Sequence, residues 1–371
     1  MKIAFVHDYL KEYGGAERVL ETLHEIWPKA PIYTSVYLPK FLGPHRKRVS
    51  KWNIKTSFLQ HIPMKGKLIS PFRLIAPLIF RSIDLSGYDV VITSAAGTYT
   101  SPNFVKTGKN TLHICYYHTP PRYLYGYPTA APWKKVWWRK ILFILGQVPM
   151  YFLRKFDYEA AQKPDIVIAN SEEVKSRIKK FYKRDAIVVY PPVDIPKQVP
   201  NVKKQNFYVA GGRLARPKRV DLAIKAANKL QIPLKVFGRD FQNYAGELKK
   251  MAGPTIEFLG EITDEEKWQL MAQAKGFIFP AEFEDFGITP VEAMAVGTGV
   301  IALKSGGVKE TVIEGETGVF FDEPKTASMV KAIKKYEKAN IKEEACKKHA
   351  QSFAKDRFIK EIKKIVRENN N

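Results

Sequence analysis

The sequence predicts an α/β protein made of two doubly wound domains, and three observations carry that expectation. At 371 residues the chain is longer than one hydrophobic core usually supports. Short apolar runs alternate with amphipathic helical patterns, the order that gives parallel sheets covered by helices on both faces. Four prolines within the ten residues from Pro191 to Pro200 interrupt that alternation, which then restarts.

In the first half, Ile3–Val6 reads as a buried strand, and Gly14-Gly15 opens a helix over 16–26 with Val19, Leu20, Leu23 and Ile26 on one face. Further strands are expected at 90–93, 112–117, 166–169 and 187–190. The proline-rich stretch suits neither helix nor central strand and reads as a linker. Beyond it, strands are expected at 206–210, 234–237, 256–259, 276–279, 300–303 and 318–321. Helices are expected at 219–230, between the strands 234–237 and 256–259, and at 325–339 and 342–367. The division that follows is 1–193, a linker 194–200, a second domain 201–352 and a terminal segment 353–371 crossing back to the first. Ligands of such sheets bind beyond the C-terminal strand ends, and a central cleft faced by both domains is the expected place.

Composition excludes several classes. A hydrophobic fraction of 45% and a charged fraction of 26% fit a globular chain. Two distant cysteines, Cys115 and Cys346, rule out a disulfide scaffold and suit a reducing compartment. The N-terminus turns polar too soon for a signal peptide, so a cytoplasmic protein is expected. The net charge of +24 is concentrated in residues 1–195, with 30 Lys+Arg against 14 Asp+Glu. Such a field attracts phosphates, whether of nucleotides, nucleic acid or anionic lipid. Residues 132–155 mix three Trp and six cations with an apolar run from Ile141 to Leu153. That run is shorter than the about 20 residues a spanning helix needs. It fits an interfacial helix on an anionic membrane, or a packed helix with a basic face; the greasy segment 69–80 is a second candidate for membrane contact.

The richest motif is Glu284-Asp-Phe-Gly-Ile-Thr-Pro-Val-Glu292. Pro290 suits the first position of a helix, which makes Thr289 its N-cap and pairs Thr289 with Glu292 in a capping box. Glu284 has no comparable structural role and sits in the loop after a strand. That loop brings Glu284, Asp285, the Phe286, Gly287 and Ile288 backbone and a helix N-terminus to one sheet edge. Amides at a helix start suit a diphosphate, and carboxylates suit sugar or ribose hydroxyls. Arg213 and Lys218, after Gly211-Gly212, would neutralise the diphosphate and the charge on its departure. Gly14 and Gly15 sit at a strand-to-helix turn able to admit a phosphate or an acceptor, or simply to turn the chain. Asp8 ends the first strand and suits an acceptor contact or a turn cap. Glu310 suits a helix first turn. There is no Asp-x-Asp motif and no cluster with metal-ligand spacing, so no metal site is expected.

On these motifs the chain resembles the family 4 retaining glycosyltransferases of the GT-B fold. The resemblance spans the glycine loop 14–20, His118-Thr-Pro-Pro-Arg122 with Tyr123, Ala169-Asn-Ser171, Tyr190-Pro-Pro-Val-Asp194, Gly211 to Lys218, Glu284 to Gly297, and Ser305-Gly-Gly307 with Glu310. It implies two Rossmann-like domains, metal-independent transfer of a hexose and no cofactor beyond a nucleotide sugar. It places His118 close to the transferred sugar, with Glu284 there too. Arg122, Tyr123 and Asp8 fall on the acceptor side; Gly14, Gly15, Asp285, Phe286, Gly287, Ile288 and Glu292 fall with the donor, Glu292 at its ribose. The combined motifs are similar to polysaccharide mannosyltransferases of bacteria and archaea, which favours GDP-mannose and a glycan or lipid-linked glycan acceptor at a cytoplasmic membrane face. The competing readings are a UDP-glucose or UDP-galactose enzyme of the same fold and a basic nucleic-acid-binding protein without catalysis. No RRM, KH or zinc-knuckle pattern supports the last, so nucleic acid is not the expected partner.

Overall fold

A computed structural model describes residues 1–99, 102–129, 147–199 and 202–370. They divide into two compact units, one from residues within 1–127, 147–192 and 356–370, the other chiefly from 193–355.

The first unit is a seven-stranded parallel sheet. From one edge its strands are Ile54–Thr56, Ile32–Thr34, Ile3–His7, Val90–Ala95, Leu112–Tyr117, Ile166–Ala169 and Ile187–Val188. The central strands are apolar along nearly their whole length because both sheet faces are covered, as parallel sheets require. Helix Gly15–Ile26 buries Val19, Leu20 and Leu23 on one face of the sheet. Against the same core lies Lys355–Asn369, through Phe358, Ile362 and Val366. This spacing of four puts the three side chains on one stripe. The other face packs on Phe72, Ile79, Phe80 and Tyr99.

In the second unit six parallel strands run in the order Ile256–Gly260, Leu234–Phe237, Tyr208–Gly211, Gly276–Phe279, Val300–Leu303 and Gly318–Phe321. Counted along the chain this is 3-2-1-4-5-6, the doubly wound order, and the first sheet follows the same rule. The order reverses between Tyr208–Gly211 and Gly276–Phe279 here, and between Ile3–His7 and Val90–Ala95 there. In doubly wound sheets a crevice opens where neighbouring connections leave on opposite faces, and ligands bind at such points.

Several expected elements differ. The helix expected over 342–367 is two, Glu343–Ala350 and Lys355–Asn369, because Ala354 is extended and bridges Val193. The strand expected at 187–190 stops at Val188, and the one expected at 206–210 is Tyr208–Gly211. Residues 194–199 form neither helix nor strand. Most of the Trp-rich segment, residues 132–146, lies outside the described residues. Its end belongs to helix Gln147–Ala161, which buries Leu153 and exposes Val148, Tyr151 and Phe152. Among the described residues no helix is long and apolar enough to cross a membrane.

Candidate active site

At the switch point of the second sheet, the chain leaves strand Gly276–Phe279 at Pro280 and runs irregularly to helix Ile288–Ala295. Two backbone devices hold this loop. The Glu284 carbonyl accepts from the Gly307 amide at 2.8 Å, and the Ser305 hydroxyl accepts from the Phe283 amide at 3.1 Å. A Cβ on Gly306 would stand 2.2 Å from the Glu284 carbonyl oxygen, and Gly306 is left-handed at φ +75°. Ser305-Gly-Gly307 is therefore a surface on which the Glu284 backbone lies.

So fixed, the Glu284 carboxylate accepts from Lys218 Nζ at 2.5 Å. The pair is partly exposed, Lys218 more than Glu284. Beside it Arg219 pairs with both Glu282 and Asp221. Arg213 is exposed, its guanidinium 5.1 Å from the centre of the Phe241 ring. Arg213, Lys218 and Glu284 thus stand on the turns beyond the two strands where the order reverses. Of the two glycines before Arg213, Gly211 lies against the chain itself: a Cβ there would stand 2.4 Å from the Phe237 carbonyl oxygen.

The helix after Glu284 corrects one expectation. It begins at Ile288, with Gly287 as N-cap in the left-handed region at φ +96°, and no side chain caps it. Thr289 and Pro290 are inside its first turn, and the capping box with Glu292 does not form. Glu292 instead accepts from Lys267 Nζ at 2.8 Å, and Lys267 also bonds Asp264 at 2.7 Å. Both members of the Lys267–Glu292 pair are buried. With Gly287 as the N-cap, Thr289 is too far into the helix to pair with Glu292 at its start, and Glu292 is engaged by Lys267 of another helix. Phe286 is buried with its ring edge-on to Phe353 at 5.5 Å, which fixes the main chain on which Asp285, Gly287 and Ile288 are strung. Glu310 lies in the short helix Val308–Thr311.

The first unit's switch point holds the other group. His118 follows strand Leu112–Tyr117 directly and is 8% exposed. Its amide donates to the Ala95 carbonyl at 3.0 Å, and its carbonyl accepts from Asn170 Nδ2 at 2.9 Å. Ser171 then caps helix Glu172–Tyr182, and Arg177 Nη1 donates to the Thr119 hydroxyl at 3.1 Å. The Asn170-Ser171 pair is thus explained as a brace for the backbone around His118. Tyr123 is covered by the Arg73 guanidinium, 4.4 Å from the ring centre, and its neighbour Arg122 is half-buried.

Two expectations change here. Asp8 is fully buried, and its carboxylate accepts from the amides of Ala96, Thr98 and Tyr99 at 2.8–3.2 Å. It caps the loop beyond strand Val90–Ala95 and is not exposed to an acceptor. The Gly14 amide, offered as a phosphate donor, is bonded to Glu17 Oε2 at 2.8 Å, so the start of helix Gly15–Ile26 already holds an anion. His7, Glu17 and Ser94 complete the group, although none of them is a site residue expected from the motifs. His7 Nε2 lies 3.5 Å from Glu17 Oε1, an ion-pair distance rather than an aligned hydrogen bond. His7 Nδ1 lies 3.1 Å from the Ser94 carbonyl oxygen and 3.2 Å from Ser94 Oγ, which is 2.9 Å from His118 Nε2. The signal available was a histidine at the end of a strand beside Asp8, two strands away from another histidine at a strand end. Among the described residues no group of three or more His, Cys, Asp or Glu is placed to hold a metal ion.

Known proteins resemble this chain in sequence and in fold. Residues 13–197 match the model described as Glycosyltransferase Family 4, and residues 193–353 match Glycosyl transferases group 1. The chain is 28% identical to the alpha-1,3/1,6-mannosyltransferase ALG2 of Candida glabrata over 84% of its own length and 78% of that protein's. It is 29% identical over 168 residues to an uncharacterised glycosyltransferase of Methanocaldococcus jannaschii, 45% of this chain and 48% of that one. The solved sucrose-phosphate synthase of Thermosynechococcus elongatus shares the fold at a TM-score of 0.73 and 16% identity, over 99% of both chains. The HepE protein of Anabaena, solved with UDP and glucose, shares it at 0.67 and 19%, again over 99% of both.

Proposed function

Because the chain belongs to the family 4 glycosyltransferases of the GT-B fold, we propose that it moves mannose from GDP-mannose to a hydroxyl of a glycan or lipid-linked glycan, with retention of configuration and without a metal ion. The observation that carries this reading is the Lys218–Glu284 pair at the second sheet's switch point, next to an uncapped helix start. A diphosphate entering there meets Arg213, Lys218 and the amides of Gly287 and Ile288. It draws Lys218 onto a phosphate oxygen, and Glu284 then accepts from a hydroxyl of the sugar. Glu292, steadied by Lys267, serves the ribose hydroxyls. The bond from the anomeric carbon to the phosphate oxygen breaks, and the bond to the acceptor oxygen forms. The acceptor proton leaves on the departing phosphate, whose charge the two cations stabilise. His118 polarises the transferred sugar, a role taken from the family resemblance.

Mannose is supported by the mannosyltransferase relatives. A lipid-linked acceptor held at a membrane surface is supported by helix Gln147–Ala161, where Val148, Tyr151 and Phe152 stand exposed beside Arg154 and Lys155. An apolar stripe flanked by cations suits the headgroup boundary of an anionic bilayer. The test is donor turnover across GDP-mannose, UDP-glucose and UDP-galactose. GDP-mannose should be consumed, and Glu284→Ala should slow it by about 100-fold or more, as for loss of a group that acts on the transition state. Turnover of a UDP-sugar alone would overturn the donor, and an undiminished Glu284→Ala would overturn the site.

A further inference from the structure

Behind His118 lies a buried polar chain that the transfer reaction as described does not use. It runs from Glu17 on helix Gly15–Ile26, through His7 at the end of the first strand and Ser94 on the adjoining strand, to His118 Nε2. None of the four residues is more than 8% exposed. The proton positions along it follow from which atoms can only accept. The Ser94 carbonyl, 3.1 Å from His7 Nδ1, cannot donate, so Nδ1 carries a hydrogen. Nε2 faces a carboxylate oxygen at 3.5 Å, where a second hydrogen converts a repulsion of lone pairs into an ion pair. Burial alone pushes the His7 ring down, but the Glu17 carboxylate, with Asp8 adding to it, outweighs burial and holds the ring above its ordinary value. A protonated Nδ1 cannot accept from Ser94 Oγ, 3.2 Å away, whereas His118 Nε2, 2.9 Å from the same oxygen, can.

We propose that Glu17, His7 and Ser94 form a positioning relay in which a His7 imidazolium, held by Glu17, keeps the Ser94 hydroxyl as a donor to His118 Nε2 and so sets the nitrogen on which His118 carries its proton. His118 is thereby neutral, with Nδ1 its one donating ring nitrogen. The relay's bearing on catalysis rests on the reading that His118 acts on the transferred sugar; its proton pattern does not. The charged and titratable groups facing His7 are Glu17 from the helix, Asp8 from its own strand and, through Ser94, His118. A neutral His7 keeps one hydrogen for two acceptors: on Nε2 it serves Glu17 and leaves Nδ1 free to accept from Ser94 Oγ, so the serine is no longer held in one sense.

The test uses the full chain labelled with 15N at its seven histidines. At pH 7 the His7 nitrogens should both be protonated, and His118 should be protonated at Nδ1 only. Ser94→Ala should remove the Nε2-acceptor signature of His118 and lower kcat about tenfold, with KM for the donor changed less than twofold. Glu17→Gln keeps an acceptor for the Gly14 amide but removes the charge. It should return His7 to the neutral form at pH 7 and shift the alkaline limb of the kcat profile to lower pH. A neutral His7 in the parent chain, a proton on His118 Nε2, or a Ser94→Ala variant with unchanged kcat beside a crippled His118→Ala would each overturn the relay. An unimpaired His118→Ala would overturn the catalytic reading of His118, and with it the relay's part in transfer. The nitrogen signals then judge the proton pattern alone.

Discussion

Three histidines in or beside the first unit's sheet show how much one neighbour decides. His7 and His113 sit on strands of one sheet, and both are buried. For His113 burial dominates, the nearby Asp165 opposes it weakly, and the ring is pushed down to about 4. For His7, Glu17 and Asp8 reverse the effect of burial. The half-buried His24 is lowered, again by burial. The consequences for stability have opposite signs. A histidine lowered in the fold is uncharged there, so the fold gains as pH rises from the lowered value to 6.5, by roughly 3 kcal/mol for His113. A raised histidine contributes fully below 6.5, and that contribution is lost as pH rises through its folded value. Asp8, raised above 3.8 by burial, also weighs against the fold as it ionises, despite the opposing His7 charge. The difference in urea midpoint between the parent and a His113→Gln chain should therefore climb between pH 4.5 and 6.5, and the parent midpoint should fall above pH 6.5. Glu17→Gln should flatten the alkaline fall. A parent midpoint still rising above pH 7 would mean that His7 is not charged in the fold.

At the scale of elements, the chain twice spells a threonine followed three residues later by glutamate at a helix start, and only one becomes a capping box. At Thr263 the box forms: Thr263 Oγ1 accepts from the Glu266 amide at 3.2 Å, and Glu266 Oε2 accepts from the Thr263 amide at 2.7 Å. Glu266 is exposed. At Thr289 the same spelling fails: the helix starts at Ile288 with Gly287 as its N-cap, and Lys267, one residue beyond Glu266 on the other helix, takes Glu292. Local spacing could not separate the two, since the cation that takes Glu292 is 25 residues away. Thr263→Ala should cost about 1 kcal/mol and Thr289→Ala less than half of that, measured as urea unfolding free energies. Equal losses would return a cap to Thr289. The same limit explains what else was legible. Strands 112–117, 166–169, 276–279, 300–303 and 318–321 coincide with expectation because both their faces are buried and their runs are unbroken. Strands Ile32–Thr34 and Ile54–Thr56 escaped, being three residues long. Glu284 was readable as a loop carboxylate without local duty. The Glu17–His7–Ser94 chain was not, because it joins segments 87 residues apart that only the sheet order brings together.

At the scale of the whole molecule, the chain's last helix belongs to its first unit. Phe358, Ile362 and Val366 are 0%, 3% and 2% exposed in the core that also holds Phe5, Ile114 and Tyr116, and the Phe358 and Tyr116 rings meet edge to face at 5.8 Å. Arg357 Nη2 adds a bond to the Tyr190 carbonyl at 2.6 Å. At roughly 1.5–3 kcal/mol for each large apolar side chain removed from water, the three contribute roughly 5–9 kcal/mol to the first unit. That is comparable with the whole stability of an ordinary domain, about 5–15 kcal/mol. A chain ending at Ala354 should therefore lose the first unit while keeping the second, whose sheet and helices lie within 193–355. Histidine signals give the readout unit by unit: those of His7, His113 and His118 should collapse to unfolded positions. His349, whose Nε2 lies 3.1 Å from the Thr311 carbonyl, should keep its folded signal. Phe358→Ala, costing about 3–5 kcal/mol, should leave the first unit folded but lower its melting temperature alone. If the shortened chain kept the His7 and His118 signals of the parent, the helix would be a surface addition, and the first sheet would be stable without the end of the chain.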